Sequence, residues 1–297
     1  MHGVVNLDKP VGPTSHDMVG LLRRLSGTRR IGHAGTLDPF ASGVLPILVG
    51  SATRFSQELT GGAKRYEAVI RLGSRSATDD AEGPLEPVDE PPDASIAAAA
   101  LQHFVGTFDQ LPPVFSARKQ GGRVAHRAAR AGAPMELPAR RVTVDSIELL
   151  GAARGDGWLD LRIDLRCQAG TYVRSIARDV GAALGSGGHL HALRRLEAAG
   201  LHVDDAITPV QLEALASDGR LVEAIRPVAD LLTLPRLDVS ELEADRFRHG
   251  SAVHLTAPSN DGRTAVFVTG SLLGIGTVRL GWLQPDKVIS LREDGRP

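Results

Sequence analysis

Residues 30–47, Arg30-Ile31-Gly32-His33-Ala34-Gly35-Thr36-Leu37-Asp38-Pro39-Phe40-Ala41-Ser42-Gly43-Val44-Leu45-Pro46-Ile47, crowd glycine, proline, one histidine and a lone acid into a short span. Gly32 and Gly35 permit close approach or positive φ, and Pro39 drives the residue before it toward extended backbone. The Asp38 carboxylate therefore belongs on a shaped loop and not on a helix face. A carboxylate presented this way can attack an electrophilic carbon or shield a developing positive centre. It can equally cap a turn or the helix that follows, and spacing alone leaves both readings open. His33, on the same loop, reads by itself as an exposed ring. His189 and His191 stand two apart, but no cysteine or carboxylate cluster completes a metal shell around them. They read as helix-start or surface residues, and no metal is expected. The only cysteine, Cys167, cannot form an internal disulfide and closes a strand pattern as a small core residue.

These groups need elements to position them. Thr14 and Ser15 after Pro13 are candidate caps for a helix whose Met18, Val19, Leu21, Leu22 and Leu25 recur at helical spacing and which stops near Gly27. Residues 66–72 and 159–167 alternate with period two and predict half-buried strands. Residues 84–92 are a proline-rich loop or edge, 96–104 a short alanine-rich helix and 141–150 a further strand. From Thr171 the pattern turns helical until the glycines at 185–188. Tyr66 lies in the first alternating run, and Arg174 and Tyr172 lie at the start of the helical one. Strands and helices mix without regular alternation, which predicts an α+β fold around a mixed or antiparallel sheet. Thr208-Pro209 opens another helix, and a boundary follows near residues 231–236. Beyond it, Ser240-Glu241-Leu242-Glu243 predicts a capped helix, and strands at 264–269 and 272–280 predict a compact β unit.

The chain has 297 residues, 42% of them apolar and 23% charged, enough for one large core or two unequal ones and unlike a disordered chain. No apolar run reaches the roughly 20 residues of a membrane span, and no secretory signal pattern opens the sequence. A soluble, cytoplasmic protein is expected. The net charge of −1 does not by itself suggest a polyanion partner, but its distribution is uneven. Residues 79–93 carry seven acids and no base, a stretch expected to repel phosphate, whereas 118–141 carry seven bases against Glu136 alone. Gly121-Gly122 among those bases would make a flexible basic loop able to follow a phosphate backbone, although an arginine run is equally a solvated face.

Residues 32–45 closely resemble, without a gap, the signature of the TruB-type tRNA pseudouridine synthases. Further segments agree in order: Leu7-Asp8-Lys9-Pro10, Lys64-Arg65-Tyr66, Thr78-Asp79-Asp80-Ala81-Glu82-Gly83, Pro113-Val114-Phe115-Ser116-Ala117-Arg118-Lys119, Gly170-Thr171-Tyr172-Val173-Arg174 and Leu193-Arg194-Arg195-Leu196. The resemblance implies a pseudouridine synthase fold, mainly antiparallel with flanking helices, over residues 1–232, with 118–141 as an RNA-clasping loop. Residues 233–297 then correspond to a small PUA-like β-barrel. It also implies an isomerase that converts uridine to pseudouridine at position 55 in the T loop of tRNA. No cofactor is needed, because the N1–C1′ bond breaks, the uracil turns and C5 joins C1′ with nothing consumed.

By the same resemblance Asp38 is the catalytic nucleophile, attacking C1′ or C6. Arg174 is its partner, expected to lower the Asp38 pKa through a bidentate ion pair. Tyr66 packs on the uracil and helps proton removal, and His33 takes the place of the flipped base in the RNA stack. Leu193 and Tyr172 lie at the pocket and Lys9 near the cleft. From the residues alone, Leu193 and Tyr172 read as helix packing and Lys9 as a surface charge. The implied partner is the T arm of tRNA, with no membrane and no metal, and nothing points away from a monomer. Two rivals remain. One is an RNA chaperone that docks tRNA with Asp38 incidental. The other is a nucleoside or glycoside hydrolase releasing free uracil, which needs a second carboxylate that the sequence does not place beside Asp38.

Overall fold

The structure, a computed structural model, describes residues 1–289 apart from 117, 118, 121, 122, 125–134, 136 and 258. The basic loop expected at 118–141 therefore lies largely outside the described residues. Strand β1 (Gly3–Lys9) leads to the helix Ser15–Ser26, closed at its start by a capping box between Thr14 and Asp17 and at its end by Gly27 with φ of 65°. Strands β2 (Ile31–His33) and β3 (Ser42–Val49) bracket the loop that carries Asp38. There follow the short helix Ser56–Thr60, β4 (Lys64–Leu72), β5 (Ser74–Ser76), β6 (Leu85–Pro87), the helix Ala94–Leu101 and β7 (Gly106–Gln110). The small strands β8 (Lys119–Gln120) and β9 (Arg123–Val124) precede the long hairpin of β10 (Arg140–Gly155) and β11 (Trp158–Cys167). The helix Val173–Ala183, β12 (Gly188–Ala198), β13 (Leu201–His202) and the helix Pro209–Ser217 complete this part.

One nine-stranded sheet runs in the order β1-β3-β12-β4-β11-β10-β7, with β2 on β3 and β13 on β12. Every pairing in it is antiparallel except β12 with β3. The alternation seen in the sequence explains the packing of β4. Tyr66, Ala68, Ile70 and Leu72 turn inward onto Ile176, Ala177 and Val180 of the helix Val173–Ala183, while Arg65 and Arg71 on the other face pair with Asp164 and Asp160. A second core lies between β1, β3 and the helix Ser15–Ser26.

The parallel join of β3 to β12 sets Gly43 against Arg195. Gly43 has φ of 101°, and a Cβ there would overlap the Arg195 carbonyl. Only glycine lets the Asp38 loop enter the sheet at this point.

The C-terminal part forms its own five-stranded sheet, in the order β14 (Arg236–Asp238), β16 (Gly262–Val268), β17 (Ser271–Arg279), β18 (Trp282–Val288), β15 (Val253–His254). Phe247 of the capped helix Glu241–Arg248 packs against Val266, Leu273 and Leu283 of this sheet. Glu58 ties the two parts together, accepting from Arg263 at 2.8 Å and from Lys287 at 2.7 Å. No helix among the described residues is long and apolar enough to cross a membrane.

The stretch holding His189, His191 and Leu193 is strand β12, not a helix start or a helix core. Register shifts between Leu190 and Ala192 and between Arg195 and Glu197 break its period-two pattern, which hides it in the sequence. His189 is buried against Ser74, not on the surface.

Candidate active site

The loop between β2 and β3 is held from beneath. Ser15 Oγ accepts from the Leu37 amide and donates to the Leu37 carbonyl, both at 2.9 Å. Lys9 is no surface charge: it is fully buried, and its Nζ donates to the carbonyls of Pro10 (2.8 Å), Pro13 (2.7 Å) and Pro39 (3.3 Å). Three proline carbonyls from two loop segments thus converge on one ammonium and fix the residue after Asp38. The Asp38 carbonyl accepts from Ala41 at 3.1 Å, so the turn uses the main chain of Asp38 and leaves its carboxylate for other work.

That carboxylate meets Arg174 Nε at 3.0 Å and keeps 36% of its side-chain surface open. Arg174 stands in the first turn of the helix Val173–Ala183 and is buried. Its Nη1 also donates to Asp80 (3.2 Å) and the Thr78 carbonyl (3.1 Å), and its Nη2 to the Phe115 carbonyl (3.0 Å). The contact with Asp38 is therefore single and not the bidentate pair expected, because the outer nitrogens are committed to Asp80 and two carbonyls. Burial raises the Asp38 carboxyl above its ordinary range, Arg174 pulls it back, Asp80 pushes it up again and Lys9 lowers it. Arg174 lowers it as expected, but the net direction is upward: desolvation outweighs one shared guanidinium.

His33, Asp38 and Arg174 line one open pocket of about 430 Å³, together with Asp80, Glu82 and Phe115. Burial, and then the charges of Arg195 and His16, make the His33 imidazole harder to protonate, which suits a stacking ring. Tyr66 is buried on β4, across the strand pair from Arg195. Leu193 is half-buried between the two main cores, opposite Ala68. The Tyr172 main chain exchanges hydrogen bonds with the Gln110 side chain, 2.9 Å and 3.1 Å, at the helix start. Tyr66, Lys9, Leu193 and Tyr172 are not among the residues lining the pocket.

Sequence reasoning missed three groups here. Asp80 and Glu82 do place further carboxylates in the Asp38 pocket, brought there by the fold; their signals in the sequence were the Thr78-Asp79-Asp80-Ala81-Glu82-Gly83 segment and the acidic run 79–93. The acidic stretch is partly neutralised, Asp79 by Arg178 at 3.1 Å and Asp80 by Arg174. The third is Arg195, fully buried in β12. Among the described residues no group of three or more His, Cys, Asp or Glu could hold a metal. A larger cleft of about 750 Å³ lies between the two sheets, but its arginine, Arg236, already pairs with Asp238 and stacks on Phe267. Volume does not choose the site; the charge arrangement does.

Burial lowers the Lys9 ammonium to about 8. Between that value and its ordinary 10.5 the unfolded chain binds a proton that the folded chain does not, so this group makes stability rise with pH there. Lys9→Met is expected to make the unfolding free energy climb less between pH 8 and 10.5 than in the wild type. Urea unfolding across that range checks it, and identical slopes would refute it.

Two solved structures share this architecture. The chain superposes on the crystal structure of a Cbf5-Nop10-Gar1 complex with TM-score 0.71 and 29% identity, covering 93% of this chain and 78% of that one. It also superposes on an H/ACA RNP bound to a substrate RNA containing 2′-deoxyuridine, with TM-score 0.73 and 25% identity, covering 98% and 86%. The α+β body is the pseudouridine synthase fold, and the five-stranded C-terminal sheet is its small PUA-like companion. Residues 23–173 match the family model for the TruB family pseudouridylate synthase N-terminal domain, and 174–233 that for the tRNA pseudouridylate synthase B C-terminal domain. Relatives described as tRNA pseudouridine synthase B include one from Ralstonia pickettii, 41% identical over 98% of this chain and 95% of the relative. Another, from Thermobifida fusca, is 44% identical over 95% and 97%. The chain belongs to the TruB family of pseudouridylate synthases.

Proposed function

We propose that this enzyme isomerises uridine to pseudouridine in tRNA, at position 55 of the T loop. The observation that carries the reading is the Asp38–Arg174 pair, a carboxylate held on a rigid loop, open to a pocket and kept beside a buried cation. A uridine inside folded RNA must leave its stack before C1′ is reachable. His33 then fills the gap and Asp38 acts at the sugar or the base while the N1–C1′ bond breaks. Tyr66 supports the uracil and takes part in removing the C5 proton once C5 has joined C1′. Lys9 holds the loop, and Leu193 and Tyr172 support the pocket wall. Residues 1–232 act as the catalytic unit. Residues 233–297 and the basic stretch 118–141 add contacts to the T arm, and one copy of the chain suffices.

The test is tritium release from unmodified tRNA transcript labelled at uracil C5, with a second transcript in which position 55 is not uridine. Release from the first alone supports both reaction and site. Release from both would move the site elsewhere. Free uracil among the products would instead favour a hydrolase, for which Asp80 and Glu82 supply the second acid.

A further inference from the structure

Arg195, like Lys9, is a buried cation at the site. It is an arginine at 1% exposure with no carboxylate within ion-pair distance among the described residues. A buried cation without a counter-ion is costly and calls for another compensation. Its Nε donates to the Val44 carbonyl at 2.7 Å and its Nη2 to the Gly35 carbonyl at 3.0 Å. Tyr66 stands opposite it across β12 and β4, a buried cross-strand pair close enough for the guanidinium charge to act on the phenol. Three further groups feel its charge: Lys9, His33 and Lys64 are each made harder to protonate by it. The floor of the site is thus rich in positive charge, and the Tyr66 phenol, paired with Arg195 across the two strands, is able to become an anion.

We infer that Arg195 is a positioning residue for the isomerisation, set across the strand pair from Tyr66 and stabilising its oxygen as a phenolate. This rests on the role of Tyr66 proposed above. The proton balance is simple. After C5 joins C1′, the C5–H bond breaks, its electron pair restores the C5–C6 double bond, and the proton passes to the phenolate oxygen. The phenol then returns that proton to solvent. The groups facing Tyr66 are Arg195 on β12, Cys167 on β11 and Asp38 on its loop. Burial raises the Tyr66 hydroxyl, Cys167 and Asp38 raise it further, and Arg195 alone of the three lowers it. Burial also pushes the Cys167 thiol up to about 11, so it carries no charge at neutral pH.

The chain has two tyrosines, so near-ultraviolet titration of the full-length protein, with Tyr66→Phe as reference, isolates the Tyr66 phenolate. Arg195→Met is expected to raise its midpoint by about one unit or more and Arg195→Lys by less, each unit meaning about tenfold less phenolate at a fixed pH. Turnover of tRNA at neutral pH should fall in the same proportion and recover as pH rises, with KM unchanged. Circular dichroism establishes that each variant folds. If Arg195→Met does not, the Arg195→Lys midpoint decides. An unmoved midpoint in a folded variant overturns the inference and leaves Arg195 as a brace for two carbonyls. A moved midpoint with full activity in Tyr66→Phe would instead overturn the proposed role of Tyr66, and with it any part of Arg195 in the reaction.

Discussion

Asp38→Asn is expected to abolish tritium release from tRNA, a loss on the order of 10⁴-fold or more, while affinity for tRNA stays nearly unchanged. The amide fills the same volume, but its nitrogen cannot accept a bond from Arg174 and the group cannot attack carbon or carry the negative charge that faces a developing positive centre. Binding should survive because RNA affinity is spread over many phosphate contacts, of which this recessed acid makes none. Stability should survive too. The folded-state pKa of Asp38 is raised, so this acid favours the fold only while protonated, and that contribution is lost as pH rises through its folded value. Above that value the ionised group is a burden on the fold, and the asparagine variant should melt no lower than the wild type. Parallel loss of activity and affinity would return the RNA-chaperone reading, and a lower melting temperature would refute the account of the carboxylate.

How much of this was legible in the sequence depends on the range of each interaction. The Thr14 and Ser240 caps, the alternation of residues 66–72 and the Asp38-Pro39 loop are written within a few residues of themselves, and the structure has them where the sequence places them. Strand β12 is hidden because two register shifts erase its period, and with it went the burial of His189 and Arg195. Lys9 reads as a surface charge because its three acceptors are carbonyls, which have no signature in sequence. Asp80 lies 94 residues from the arginine that neutralises it, beyond any local pattern. The sequence pairs Arg174 with Asp38 through resemblance, yet the direction of the Asp38 shift needed the desolvation and the second carboxylate that only packing reveals.

That second carboxylate makes Arg174 the other site of large expected effects. Arg174→Met would leave Asp38 and Asp80 sharing a pocket with no cation between them and two carbonyls, of Thr78 and Phe115, without a donor. Breaking a buried pair in this way costs about 3–5 kcal/mol of stability. Tritium release at neutral pH should fall about 100-fold or more, since Asp38 loses the group that pulls its pKa down and a larger share of it is protonated. Arg174→Lys keeps the charge but not the fork, and one ammonium cannot serve two acids and two carbonyls together; its loss should be intermediate. Asp80→Asn works the other way. Asp80 raises the Asp38 carboxyl, so removing its charge should lower it. The acid limb of kcat/KM against pH is therefore expected to move up in Arg174→Met and down in Asp80→Asn. Movement in the same direction, or none, would mean that the ionisation of Asp38 does not govern that limb and that Arg174 serves the fold alone.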